Sequence, residues 1–266
     1  MGVINVTPDS FSDGGRHFDT GRAIEHGFRL ADEGADILDI GGESTRPGAQ
    51  SLSIEAEHDR VMPVIEALRD CGAALSIDTR KPQLMRIALA RGVDMVNDVE
   101  GFRSADAIAA VASSKTCGAC VMHMLGTPES MQLAPRYEDV LIEVSGWLEA
   151  RVAALRDAGV DPSRVLVDPG IGFGKRIEHN LALIAGIDRL RLLAPVLIGV
   201  SRKSMIGMIT GRPVGERLAG GLAAMLAAVA RGARVVRVHD VAETRDALRV
   251  WRAIQDAEGS PGGARR

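Results

Sequence analysis

The amino-acid sequence predicts an α/β protein, a single-domain (β/α)8 TIM barrel, on three observations. Short apolar, β-branched runs alternate with longer segments of helical period, which is the pattern of repeated βα units. Eight such runs occur along the 266 residues, the number a closed barrel requires. Polar residues stand where each run stops, at the end where barrels keep their chemistry. The length also suits one barrel and the burial of a large core.

The runs are 2–6, 36–40, 74–77, 95–98, 119–122, 165–167, 196–200 and 235–238, each short and nearly continuous in apolar residues, as parallel strands covered on both faces are. Helical segments are expected between them, among others over 21–33, 54–69, 82–91, 137–158, 180–193, 215–231 and 241–255. Gly34, Gly92, Gly159 and Gly232 follow four of these, where a left-handed cap favours a residue without Cβ. No linker or composition shift divides the chain, so residues 1–257 read as one domain. The Gly-, Pro- and Arg-rich residues 258–266 read as a disordered tail.

Hydrophobic residues make up 46% of the chain and charged residues 25%, as in globular proteins, and argue against disorder. A net charge of -3 without long basic blocks offers no footprint for nucleic acid or an anionic membrane. The longest nearly apolar stretch, 218–230, is too short to cross a bilayer, and the N-terminus lacks the pattern of a secretory signal. A cytoplasmic protein is expected. Three cysteines cannot all pair, and Cys120 falls inside an apolar strand, so Cys117-x-x-Cys120 does not read as a redox or metal motif.

The strand ends carry the functional argument. Asn5 ends the first; Glu43, Ser44, Thr45 and Arg46 follow the second; Asp78 and Arg80 follow the third; Asn97 and Asp98 close the fourth. His123, Asp168, the Ser201-Arg202-Lys203-Ser204 run, and Arg237 with His239 and Asp240 belong to the last four. A single strand-end Asp often only caps the next helix, but capping does not account for the set. Lys203, Arg237 and His239 lie on the seventh and eighth strands, where barrels commonly hold a phosphate, so an anion is expected there. Asp78, Asn97 and Asp168 offer two carboxylates and an amide, which suit a planar heterocycle with several N–H donors. Met122 could lie against its face or simply fill the core.

Five segments resemble signatures of the dihydropteroate synthase family. They are Asn5-Val6-Thr7-Pro8-Asp9-Ser10-Phe11-Ser12-Asp13-Gly14-Gly15, Gly41-Gly42-Glu43-Ser44-Thr45-Arg46-Pro47-Gly48, Asp168-Pro169-Gly170-Ile171-Gly172-Phe173-Gly174-Lys175, Ser201-Arg202-Lys203-Ser204 and Arg237-Val238-His239-Asp240. The resemblance runs in order from Met1 to about Ala257. It implies condensation of 6-hydroxymethyl-7,8-dihydropterin diphosphate with p-aminobenzoate, giving dihydropteroate and pyrophosphate, with Mg²⁺. It also implies that the pterin meets Asp78, Asn97, Met122, Asp168, Phe173 and Lys203, and that pyrophosphate meets Asn5, Thr45, Arg237 and His239, Asn5 also binding Mg²⁺. The p-aminobenzoate is implied near Phe11, Arg46, Pro47, Lys203 and Ser204, with Asp168, Lys203, Arg237 and His239 as the catalytic set. An S_N1-like loss of pyrophosphate, inhibition by sulfonamides that mimic the amine, and a homodimer belong to the same expectation.

Two readings from other classes remain beside it. A pterin-binding methyltransferase barrel would share the pterin acids but has no use for Lys203, Arg237 and His239 together. A non-catalytic pterin-binding barrel would keep the pocket without turnover. A zinc hydrolase barrel wants His-x-His after the first strand, where Asn5-Val6-Thr7 stands. Family members usually carry a segment before the first strand, whereas Met1 here abuts it, so a shortened start is an open expectation.

Overall fold

The computed structural model describes residues 1–7, 16–45, 51–128 and 130–259. Eight parallel strands, hydrogen-bonded in sequence order, curl into one sheet with helices packed around it. The strands are β1 (Gly2–Asn5), β2 (Ile37–Gly41), β3 (Ala74–Asp78), β4 (Met95–Asp98), β5 (Gly118–Met122), β6 (Val165–Asp168), β7 (Val196–Ile198) and β8 (Ala233–Val236). The helices are α1 (Arg16–Asp32), α2 (Ile54–Leu68), α3 (Pro82–Ala90), α4 (Ala105–Ala112), α5 (Val140–Asp157), α6 (Ile177–Ala185), α7 (Ile187–Leu190), α8 (Ser204–Thr210), α9 (Leu218–Ala230) and α10 (Val241–Gly259). The two edges of the sheet meet where Val238 bridges Gly2 in parallel. There Val3 N–H donates to Val238 O at 3.0 Å and Val238 N–H to Met1 O at 2.9 Å.

All eight expected strands are present, and the differences have local causes. The eighth starts at Ala233, two residues before the expected 235, because Ala233 already pairs with Val196 of β7, and it stops at Val236, beyond which Val238 bridges Gly2 of β1 instead. α5 starts at Val140 rather than at 137 because the Asp139 side chain caps it, accepting from Leu141 N–H at 2.9 Å and Ile142 N–H at 3.0 Å. The expected helix over 180–193 is two helices divided at Gly186, where an added Cβ would lie 2.6 Å from the Leu141 side chain. α9 begins at Leu218 after a single 3-10 turn over Val214–Glu216, later than the expected 215. α4 and α8 add to the helical segments named above; α4 is announced by Ser104, which caps it by accepting from Ala107 N–H at 3.1 Å. The last helix runs to Gly259, past the expected boundary at 257; residues 260–266 lie outside the described residues. The four cap glycines take φ between +85° and +106°.

Two apolar clusters lie on the two faces of the sheet. Between sheet and helices lies the main core, with Ile4, Leu38, Ile40, Ile65, Ile77, Val96 and Val167 among its members. Inside the curl is a smaller cluster in which Met95, Cys120 and Leu197 pack with Ile37, Leu166 and Val235. Side chains two residues apart on a strand share a face. The inward positions one step nearer the C-terminal ends are therefore Asp39, Asn97, Met122, Asp168, Gly199 and, just past β8, Arg237. An apolar plug thus fixes which strand-end residues face the interior.

The Cys117 thiol is pushed up to about 11 and that of Cys120 well above its usual value, both by burial. All three cysteines are free. This chemistry suits packing rather than redox exchange. Among the described residues, no helix is long and apolar enough to cross a membrane.

Candidate active site

The centre of the site is a carboxylate that sequence reasoning passed over. Asp39, on β2, is fully buried and accepts from Ser76 Oγ at 2.6 Å, from Asn97 Nδ2 at 3.1 Å and from Arg237 Nε at 2.6 Å. A charged residue inside the run Ile37-Leu38-Asp39-Ile40, in phase with Gly41, was the available signal. Arg237 also donates through Nη2 to Asp78 at 2.8 Å. Asp78, expected beside Asn97 and Asp168, and Arg237, expected beside Lys203 and His239, thus meet through one guanidinium. Burial works against the Arg237 charge, but Asp39 and Asp78 hold its pKa above the ordinary arginine value. Burial raises Asp78, with Arg237 opposing and the Asp39 carboxylate adding to the rise.

Asn97 shows what this network leaves open. Its Nδ2 is committed to Asp39, whereas its Oδ1 is buried without a hydrogen-bond partner among the described residues. An orphaned buried acceptor is costly, so this oxygen is placed to accept an N–H from a bound molecule. Asp168 lies on the other side, also buried, with Oδ1 accepting from Gly170 N–H at 2.7 Å. Burial raises its pKa, while that hydrogen bond, Lys203 and Lys175 oppose the rise. Met122 packs with Val99, Met124, Met131 and Phe173, giving an apolar surface next to these polar groups. The Lys203 ammonium lies 4.3 Å from the centre of the Phe173 ring, a cation–π contact.

His239 sits half-buried beyond β8. Ser201 Oγ accepts from the His239 backbone N–H at 3.3 Å and lies 3.1 Å from its Nδ1, so one hydroxyl holds both the backbone and the ring. Burial, helped by Arg202 and Arg237, brings the imidazole down to about 4, so the ring is neutral near pH 7. The Lys203 ammonium is lowered to about 8 by burial and Arg237, with Asp168 opposing. Asn5, at the end of β1, and Thr45, in the loop after β2, are half-buried, and Ser204 is exposed at the first turn of α8. Phe11, Arg46 and Pro47 lie outside the described residues.

A family model described as "Pterin binding enzyme" matches residues 1–239. A dihydropteroate synthase of Neisseria meningitidis serogroup B is 49% identical over 261 residues, covering 96% of this chain and 92% of that relative. The solved structure of Xanthomonas albilineans dihydropteroate synthase with 4-aminobenzoic acid superposes with a TM-score of 0.91 at 50% identity, covering 98% of this chain and 93% of that one. Yersinia pestis dihydropteroate synthase in a sulfonamide drug complex gives a TM-score of 0.90 at 40% identity, covering 96% of this chain and 94% of that one.

The chain belongs to the dihydropteroate synthase family.

Two strand-end residues of this dihydropteroate synthase family member do structural work. Asp98 accepts from Glu100 N–H at 2.8 Å and Phe102 N–H at 2.7 Å, shaping the turn after β4; burial pushes it up to about 7 against those bonds. Glu43 pairs with Arg80 at 2.9 Å and Lys81 at 2.5 Å, and accepts from Leu52 N–H at 2.8 Å, so it ties the end of β2 to the residues before α2. Among the described residues no group of three or more His, Cys, Asp or Glu is arranged to hold a metal ion.

Proposed function

We propose that this protein condenses 6-hydroxymethyl-7,8-dihydropterin diphosphate with p-aminobenzoate, giving 7,8-dihydropteroate and pyrophosphate for folate synthesis. Family membership carries the reaction, and the observation that carries the site is the Asp39-centred network, which leaves Asn97 Oδ1 buried and unsatisfied. In this reading the pterin edge donates to Asp168, Asp78 and Asn97, with its ring between Met122 and Phe173 and its reacting methylene toward Lys203. Arg237, neutral His239, Asn5 and Thr45 hold the diphosphate.

Loss of pyrophosphate leaves positive charge on the pterin methylene, which the ring delocalises, so the path is S_N1-like. The buried carboxylates of Asp78 and Asp168 stabilise that charge, while Arg237 and His239 stabilise the leaving anion by preorganised hydrogen bonds. The p-aminobenzoate nitrogen then attacks, held near Phe11, Arg46, Pro47, Lys203 and Ser204. No side-chain nucleophile is needed.

Mg²⁺ fits as a companion of the diphosphate. Asn5 would supply one hard oxygen, and Mg²⁺ ordinarily takes few protein ligands beside phosphate oxygens and water. When bound it neutralises charge on the leaving group.

The chain is further proposed to fold as one closed (β/α)8 domain, to act in the cytoplasm, and to pair as a homodimer. α9 and α10 present Leu222, Leu226, Ala247, Val250, Trp251 and Ile254 around one apolar surface hollow, with Val250 and Ile254 exposed. Sedimentation at micromolar concentration should give twice the chain mass.

Mass spectrometry of the product tests the reaction. Dihydropteroate is expected, its formation suppressed by a sulfonamide in competition with p-aminobenzoate. A methylated product, or pterin bound without turnover, would overturn the reading.

A further inference from the structure

Lys175 lies outside the machinery just described, and its surroundings are unusual. It closes the β6–α6 loop, is 3% exposed, and points its ammonium at three acceptors. These are His123 Nδ1 at 2.9 Å, His123 O at 3.3 Å and Phe173 O at 3.0 Å. None is a carboxylate. A buried ammonium among neutral partners is costly, and burial pushes Lys175 down to about 7 with Asp168 opposing and Lys203 assisting the shift. Hydrophobic packing alone would be served better by an apolar side chain.

The contacts span two strands. His123 directly follows β5, and its N–H donates to Asp168 O at 2.9 Å, extending the β5–β6 ladder by one step. Its ring lies edge-on to Trp147, with centroids 5.1 Å apart, and 6.2 Å from that of Tyr137. The β6 loop passes directly over it: an added Cβ at Gly170, whose φ is +67°, would lie 1.9 Å from His123 O. Farther along, Tyr137 Oη donates to Gly174 O at 2.9 Å, and Gly172 N–H donates to Asn180 Oδ1 at 2.8 Å. Among the described residues, Lys175 alone bonds both the end of β5 and the carbonyl of Phe173 itself.

We propose that Lys175, seated on His123, is a positioning residue that fixes the β6–α6 loop and thereby the places of Phe173 and the Asp168 carboxylate in the pterin pocket. The proposal rests on the pterin reading of that pocket. Phe173 in turn carries the Lys203 ammonium on its face, so the strut also bears on the side of the pocket where the methylene reacts. Lys175 touches no substrate atom in this account.

Steady-state kinetics of the full chain and three variants separate the possibilities. Lys175→Met and His123→Leu remove the donor and the ring acceptor. His123→Asn keeps an acceptor, because its Oδ1 reaches close to where Nδ1 stood. KM for the pterin diphosphate is expected to rise about tenfold or more in Lys175→Met and His123→Leu. KM for p-aminobenzoate should stay within about twofold, with His123→Asn close to the parent. An unchanged pterin KM in Lys175→Met, or equal rises in both KM values, would overturn the proposal. Should Lys175→Met not fold, the His123 pair decides it: equal pterin KM in His123→Leu and His123→Asn contradicts the strut. Absence of turnover in the parent protein would instead count against the pterin reading, leaving the two failures distinguishable.

Discussion

Asp39 and Asp168, on β2 and β6, are shut away from solvent and held by hydrogen bonds from neighbouring protein groups, whereas Lys203 and His239, beyond β7 and β8, stand half-buried at the mouth. The first pair is fixed by strand register, which places each carboxylate above an apolar residue two positions earlier. The second depends on loops and on a few contacts such as Ser201 to His239. The carboxylate floor is therefore held by strand register and several hydrogen bonds, while the cationic side rests on fewer protein contacts and is more open to solvent. Arg237 belongs to both, since its guanidinium is paired with Asp39 and Asp78 and is 22% exposed.

The sharpest way to break this division is at that shared residue. Arg237→Ala should lower kcat/KM by about 10²–10³, as loss of a preorganised anion donor does. It should also destabilise the fold by about 3–5 kcal/mol, because Asp39 is left buried without its cationic partner. Steady-state kinetics and chemical denaturation read the two effects separately. If activity falls while stability is unchanged, the floor does not depend on Arg237.

A backbone test follows in size. Gly170→Ala puts a Cβ against a main-chain oxygen that cannot swing aside, and should cost about 3 kcal/mol. Thermal unfolding checks it.

Asp168→Asn changes the floor without altering its shape. Removing the charge should weaken pterin binding about tenfold to hundredfold while leaving KM for p-aminobenzoate near the parent value. Calorimetric titration with the pterin measures the first. Equal affinity in parent and variant would remove Asp168 from pterin recognition.

The smallest effect concerns the cationic side. A lysine with its pKa lowered to about 8 is charged below that pH and neutral above it. The kcat/KM for the pterin diphosphate should therefore fall as pH rises through about 8, and Lys203→Arg should remove this alkaline limb, since arginine stays protonated. An identical limb in both proteins would assign it to another group.

Much of this was legible in the sequence, for a physical reason. Parallel strands covered on both faces leave short apolar runs, and the polar residue that ends each run can hardly face anywhere but the C-terminal end, so Asp78, Asn97, Asp168 and Arg237 were found by position. Asp39 was not, because it sits inside its run, and only its phase relative to Gly41 marks it as inward-facing. The pairing of Arg237 with Asp78 was also hidden. Sequence places residues on strands three and eight, but the distance between their side chains depends on the curl of the sheet. The role of Asp98 as a turn acceptor rather than a ligand group is likewise a matter of two backbone N–H groups that only the folded chain brings near it.

The floor and the cationic side together make one claim: a buried set of acceptors binds a pterin whose diphosphate leaves toward Arg237 and His239. Pyrophosphate release, followed with a coupled phosphate assay in the presence of Mg²⁺, tests that claim most directly. The account predicts release that requires both 6-hydroxymethyl-7,8-dihydropterin diphosphate and p-aminobenzoate and matches dihydropteroate formation mole for mole. No release from the folded protein with both substrates present would contradict it.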